Sequence, residues 1–121
     1  MSQRQERVAR LIQAELATLI SREVKDPRVA NAGLVTITSV RVSADLGLCW
    51  VAVALHGGAP DAEKALLAGL ERSAPYLRAE LRKRLDAKKT PELRFELDRS
   101  ADDSDRVQDI LKTLHPLPKP E

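Results

Sequence analysis

The 121 residues contain one cysteine, two histidines, and one each of tryptophan, tyrosine and phenylalanine. A single cysteine excludes an intrachain disulfide and argues against a cysteine-built zinc site. Cys49 sits inside Leu48 to Leu55, the longest unbroken apolar run, and reads as a buried small hydrophobe. Eight residues cannot span a bilayer, so no membrane partner is expected. Met1 to Arg7 shows no apolar h-region and no small-residue cleavage site, which makes the cytoplasm the expected location. The length suits one domain, and nothing in it demands a dimer, so a monomer is expected.

Catalytic groups are equally sparse. The five glycines, Gly33, Gly47, Gly57, Gly58 and Gly69, spell neither G-x-x-x-x-G-K nor G-x-G-x-x-G, so no phosphate cradle is present. His56 precedes two glycines, like the oxyanion loop of some esterases, but the chain has no G-x-S-x-G elbow, and a turn residue is the simpler reading. His115 lies beside a proline-rich tail. Neither histidine has a second His or Cys at ligand spacing, and the acidic stretch Asp98 to Asp109 lacks the order of a calcium loop. Neither enzyme activity nor a cofactor or metal is expected. Two of the three aromatics, Trp50 and Phe95, fall in strand patterns and are assigned to the core. That leaves too few rings for an RNA-stacking surface, and phosphate contact and shape remain as the means of binding RNA.

What the chain does have is charge, unevenly placed. The net is only +2, but Arg72 to Arg94 holds eight basic residues against three acidic ones, a local +5. Phe95 to Asp109 holds six acidic against two basic, a local −4. A block such as Arg78 to Lys89 is ordinarily the solvated face of a helix.

Periodicity gives the elements. Ser2 and Gln5 have capping-box spacing, and Val8, Leu11, Ile12, Leu16, Leu19 and Ile20 mark one helix face, predicting a helix from Ser2 to Val24 that Asp26-Pro27 ends. Leu34 to Val42 is a β-branched strand, Ser43 to Gly47 a reversal, and Leu48 to Leu55 a strand apolar on both parities, as if covered on both faces. Asp61 can cap a helix carrying Leu66, Leu67 and Leu70. Pro75 interrupts the stripe continued by Leu77, Leu81 and Leu85, predicting a kink at Ser73, Ala74 and Pro75 and two helices meeting at an angle. Glu92 to Asp98 alternates as a half-exposed strand, and Val107, Ile110, Leu111 and Leu114 suit a last short helix. This order predicts an α+β domain with a three-stranded sheet and helices on one face.

Several segments together resemble the bacterial ribosome-binding factor A family: Leu11-Ile12 to Leu16, Val24 to Val29 (VKDPRV), the Val/Thr strand, Val42 to Leu46 (VSADL), Leu77-Arg78 to Leu81, and Thr90 to Phe95 (TPELRF) through Asp98-x-Ser100 to Arg106-Val107. The match runs from about Arg7 to Leu114. The resemblance implies a single KH-like (type II) RNA-binding domain, order α-β-β-α-kink-α-β, over residues 1–98, with a helical extension over 99–114 and a disordered proline-rich tail over 115–121. It implies a non-enzymatic factor that binds the free small (30S) ribosomal subunit, assists late maturation of its 16S rRNA including the 5′ end, and matters for growth in the cold. The family replaces the Gly-x-x-Gly loop of ordinary KH domains with an Ala-x-Gly kink. Here Ser73-Ala74-Pro75 stands instead, and proline adds bulk and offers no N–H to RNA.

With that resemblance, the candidate RNA contacts are Arg72, Arg78, Arg82, Lys83, Arg84, Lys88 and Lys89, joined by Lys25 and Arg28. Asp26-Pro27-Arg28 fits a helix stop and a contact equally. The alternative reading is an adaptor docking on a ribosomal protein or another assembly factor through the tail or the acidic segment. A small hydrolase built on His56 is the third.

Overall fold

A computed structural model gives the fold for residues 1–58, 61–85 and 89–99. The expected helix over 99–114 and the tail therefore lie outside the described residues, Arg99 excepted. Helix α1 spans Gln3–Arg22 and starts on a complete capping box: Ser2 Oγ accepts from the Gln5 N–H at 3.2 Å, and Gln5 Oε1 accepts from the Ser2 N–H at 2.8 Å. Ala9, Ile12, Leu16, Leu19 and Ile20 form its buried stripe. It stops at Arg22, two residues short of the expected Val24, and Asp26-Pro27 does more than end it. Asp26 caps a second, one-turn helix α2, Pro27–Ala30, accepting from the Arg28 N–H, with proline at the position where its missing N–H costs nothing.

Strand β1 (Leu34–Val42) pairs antiparallel with β2 (Leu48–His56), and β2 pairs parallel with β3 (Glu92–Leu97), giving a mixed sheet in the order β1-β2-β3. A bulge at Thr38 shifts the register between Ile37 and Ser39. It swaps which parity points inward, so that Val35 and Ile37 before it and Val40 and Val42 after it all meet the core. The reversal between β1 and β2 is tied by its own polar groups. Ser43 Oγ accepts from the N–H of Gly47 and of Leu48, Asp45 Oδ1 accepts from Ser43 Oγ at 2.7 Å and the Gly47 N–H at 2.9 Å, and Leu46 takes a positive φ of 59° to turn its side chain into the core.

Helix α3 runs from Ala62 to Arg84 without a break, with Ser73, Ala74 and Pro75 inside it. The two helices predicted around Pro75 are one. Pro75 itself is exposed, while Leu66 and Leu70 before it and Leu77 and Leu81 after it are completely buried, so packing holds both halves on the sheet despite the missing hydrogen bond. Asp61 occupies the cap position, but its side chain makes no capping bond.

The core lies between α1, α3 and one face of the sheet: Cys49, Val51, Val53 and Leu55 of β2 and Leu93 and Phe95 of β3 belong to it. Burial pushes the Cys49 thiol up to about 12, as befits a packing residue. The other parity of β2, Trp50, Ala52 and Ala54, lies outside that cluster, and no described helix covers it. Ala52 and Ala54 are nevertheless buried, so β2 is closed on both parities there as its apolar pattern predicts, although among the described residues a helix covers only one face; Trp50 is half-buried and outside the core cluster.

Candidate nucleic-acid interface

Helix α3 buries one stripe and leaves the opposite one to solvent. Arg72, Tyr76, Ala79 and Lys83 recur there at steps of four and three, all exposed, with Arg82 and Arg84 beside Lys83 in the last turn. Tyr76, 45% exposed, places a ring between cations on this stripe. The sequence reading passed over it; the helical step from Arg72 through Tyr76 to Lys83 is the signal that finds it. Cations in the last turn also complement the helix dipole, which gives them a structural use as well.

The predicted contacts divide by what they already hold. Arg82 makes no ion pair or hydrogen bond among the described residues, and Lys83 only reaches Glu80 one turn back, at 3.0 Å, with its side chain 73% exposed. Arg84 meets Glu15 of α1 at 3.4 Å, both about one-third exposed, a tie between the two long helices. Lys89 donates to the Asp45 carbonyl at 3.3 Å and so fastens the segment before β3 to the β1–β2 reversal. Arg78 is different: its Nε and Nη2 both donate to the Thr90 carbonyl, at 3.1 and 3.0 Å, and the residue is half-buried. It is a strut that positions β3 rather than a spare cation. Lys88 lies outside the described residues.

Arg28 forms a two-point pair with Asp26, Nη2 to Oδ2 at 2.8 Å and Nε to Oδ1 at 3.1 Å. That guanidinium, with the Arg28 N–H, lowers the Asp26 carboxyl to about 2, and Arg72 adds a smaller pull through space. The two readings of Asp26-Pro27-Arg28 thus resolve toward a cap, though Arg28 keeps an exposed side. Arg28 stands where α2 packs on α3 at Gly69, with Arg72 near enough to act on Asp26: a Cβ at Gly69 would lie 2.8 Å from Val29 Cγ2 and 3.1 Å from Arg28 Cβ, so only glycine admits the contact. Lys25 is exposed nearby along the chain. The cations therefore fall into two groups, Arg28 with Arg72 at the α2–α3 contact, and Arg82 to Arg84 about 15 Å further along α3.

Between α3 and β3 runs a shallow groove of about 350 Å³ lined by Glu71, Ala74, Pro75, Arg78, Glu92, Leu93 and Arg94, two cations and two carboxylates. Pro75 borders it. Among the described residues no cluster of three His, Cys, Asp or Glu side chains could hold a metal, and no helix is long and apolar enough to cross a membrane.

The element order, the mixed sheet with a β-α-β crossover from β2 to β3, and the basic helix beside it define a KH-like domain of type II. The chain belongs to the ribosome-binding factor A family, whose model matches residues 4–111. It is 38% identical over 113 residues to ribosome-binding factor A of Synechocystis, covering 93% of this chain and 84% of that protein. To that of Syntrophobacter fumaroxidans it is 42% identical over 113 residues, covering 93% and 94%. Among solved structures it resembles the crystal structure of ribosome-binding factor A from Thermus thermophilus, with TM-score 0.68 and 27% identity over 79% of this chain and 97% of that one. It also resembles a homology model of the Thermus thermophilus factor fitted into a cryo-EM map of its complex with the 30S subunit, with TM-score 0.58 and 25% identity, covering 84% and 98%.

Proposed function

We propose that this chain is a non-catalytic assembly factor of the cytoplasm that binds the free small ribosomal subunit through its 16S rRNA and assists late maturation of that RNA, including its 5′ end. One observation supports this beyond family membership: the exposed stripe of α3 ends in Arg82, Lys83 and Arg84, on a helix whose other stripe is fully committed to packing. Cations so placed can meet phosphates without unfolding anything. Residues 1–98 act as the RNA-binding domain, with 99–114 as an extension of it. Arg72, Arg82, Lys83, Arg84 and Lys89 carry the contacts, Lys25 and Arg28 border them, and Arg78 holds the frame.

Co-sedimentation with isolated small subunits, large subunits and joined ribosomes across a salt titration tests this reading. Binding confined to free small subunits is expected, with log affinity falling by roughly 0.7 to 0.9 per phosphate contact against log salt. Binding to no particle, or to all three alike, overturns it. Accumulation of 5′-extended 16S rRNA when the factor is depleted is the corresponding expectation for processing, and normal 5′ ends would remove that part.

A further inference from the structure

The face of the sheet that no described helix covers, its Ala52 and Ala54 buried but Trp50 half-exposed, carries a row that the basic helix does not explain. In register across the three strands stand Arg41 of β1, Trp50 of β2 and Arg94 of β3. Trp50 is the chain's only tryptophan, half-buried, on the side away from the core. The Arg41 guanidinium lies over the face of its ring, 5.0 Å from the centre, so a base takes the opposite face or displaces Arg41. Along β2 its same-face neighbours are Ala52 and Ala54, so the indole rises from a low floor. Glu96 pairs with Arg41 at 3.4 Å and Glu92 with Arg94 at 2.6 Å, but all four side chains are at least half exposed, and pairs of that kind hold weakly.

We propose that this row is a stacking site for an unpaired nucleotide of RNA: a base lies on the Trp50 indole, and Arg41 and Arg94 turn from their glutamates to the flanking phosphates. The inference rests on the RNA-binding reading above and extends it. Continuity favours this ligand, because Arg94 also lines the groove with Pro75 and Arg78, so a strand following α3 and that groove reaches the sheet by rounding the edge of β3. The chemistry fits as well. One ring between two planar cations offers a π-face and phosphate donors about 5 Å to either side, which a single-stranded nucleic acid can use and a duplex cannot.

Because Trp50 is the only tryptophan, its fluorescence reports on this site alone. Titrating the whole chain with a single-stranded oligoadenylate at low salt is expected to quench that emission to saturation, while an RNA duplex of equal length leaves it unchanged. Trp50→Ala should weaken single-strand binding roughly tenfold, the size of one lost base stack. Trp50→Phe, which keeps a ring and the fold, should recover most of it. An unquenched Trp50, equal quenching by the duplex, or wild-type affinity in Trp50→Ala overturns the proposal. If Trp50→Ala and Trp50→Phe weaken small-subunit binding alike and oligoadenylate quenches nothing, the face grips a protein and the RNA assignment is wrong. Wild-type co-sedimentation with small subunits tells these failures apart from failure of the RNA-binding reading, since it persists in the first case and is lost in the second.

Discussion

The two halves of α3 are built on the same inner stripe and differ on the outside. Before Pro75, Leu66 and Leu70 face the core, and Gly69 gives up its side chain so that α2 can lie against the helix. After Pro75, Leu77 and Leu81 continue the inner stripe, while the outer one carries Arg82 and Lys83 and, among the described residues, touches a helix only through the Arg84–Glu15 pair with α1. The first half spends part of its outer surface on architecture, and the second leaves most of its own to solvent. A helix interrupted by proline can thus serve both ends, because burial on either side of Pro75 exceeds the ~3 kcal/mol or more that an interior proline costs.

Cutting into the shared stripe should erase the difference. Leu70→Ala and Leu81→Ala are each expected to lose about 2–5 kcal/mol in urea unfolding, alike in both halves because both leucines are completely buried. Adding bulk should separate the halves instead. Gly69→Val, forced against Val29 and Arg28, is expected to cost about 1–3 kcal/mol, and Val29→Ala in the same chain should return part of it. Reversing charge in the second half, Arg82→Glu with Lys83→Glu, should cost about 1–2 kcal/mol, from the helix dipole and the new repulsion with Glu80, and leave the domain folded while small-subunit co-sedimentation falls. Unchanged co-sedimentation would show that this half is only a solvated surface. Glu15→Gln, which removes the partner of Arg84, should change stability by at most ~1 kcal/mol.

The smallest effect is confined to acid. Asp26 has a folded value of about 2 against an unfolded value near 3.9, so its contribution is complete above the unfolded value and is lost as pH falls through about 2. Asp26→Asn should flatten the pH dependence of unfolding over that window, and a carboxyl titration by NMR should place the midpoint near its lower end.

Much of this was legible in the sequence because the signals were local. Ser2 with Gln5, the Leu34 to Val42 run and the alternation of Leu93, Phe95 and Leu97 each carry their structure within a few residues. What escaped depended on partners far along the chain. The inward parity of β1 changes at Thr38, and a bulge leaves no mark in residue type. Trp50 was read as core because it is apolar, although it shares parity with the outward residues of its strand and not with Cys49, Val51 and Val53. The hold of Arg78 on the Thr90 carbonyl is of the same kind, since only the folded chain brings the two together across twelve residues. Asp26-Pro27 was read as a stop, but the pair that ends one helix is also well suited to begin another.

Both margins of the sheet are occupied by side chains from the helices above it. At β1, Gln5 Nε2 donates to the Val42 carbonyl, Gln13 Nε2 donates to the Ile37 carbonyl, and the Val42 N–H points to Met1 Sδ at 3.4 Å. At β3, the Phe95 N–H donates to Glu71 Oε1 at 3.2 Å. A stray strand from another chain would have to displace these groups before it could extend the sheet. The roof of this small domain therefore also serves as its fence, keeping three strands at three when many copies are made at once.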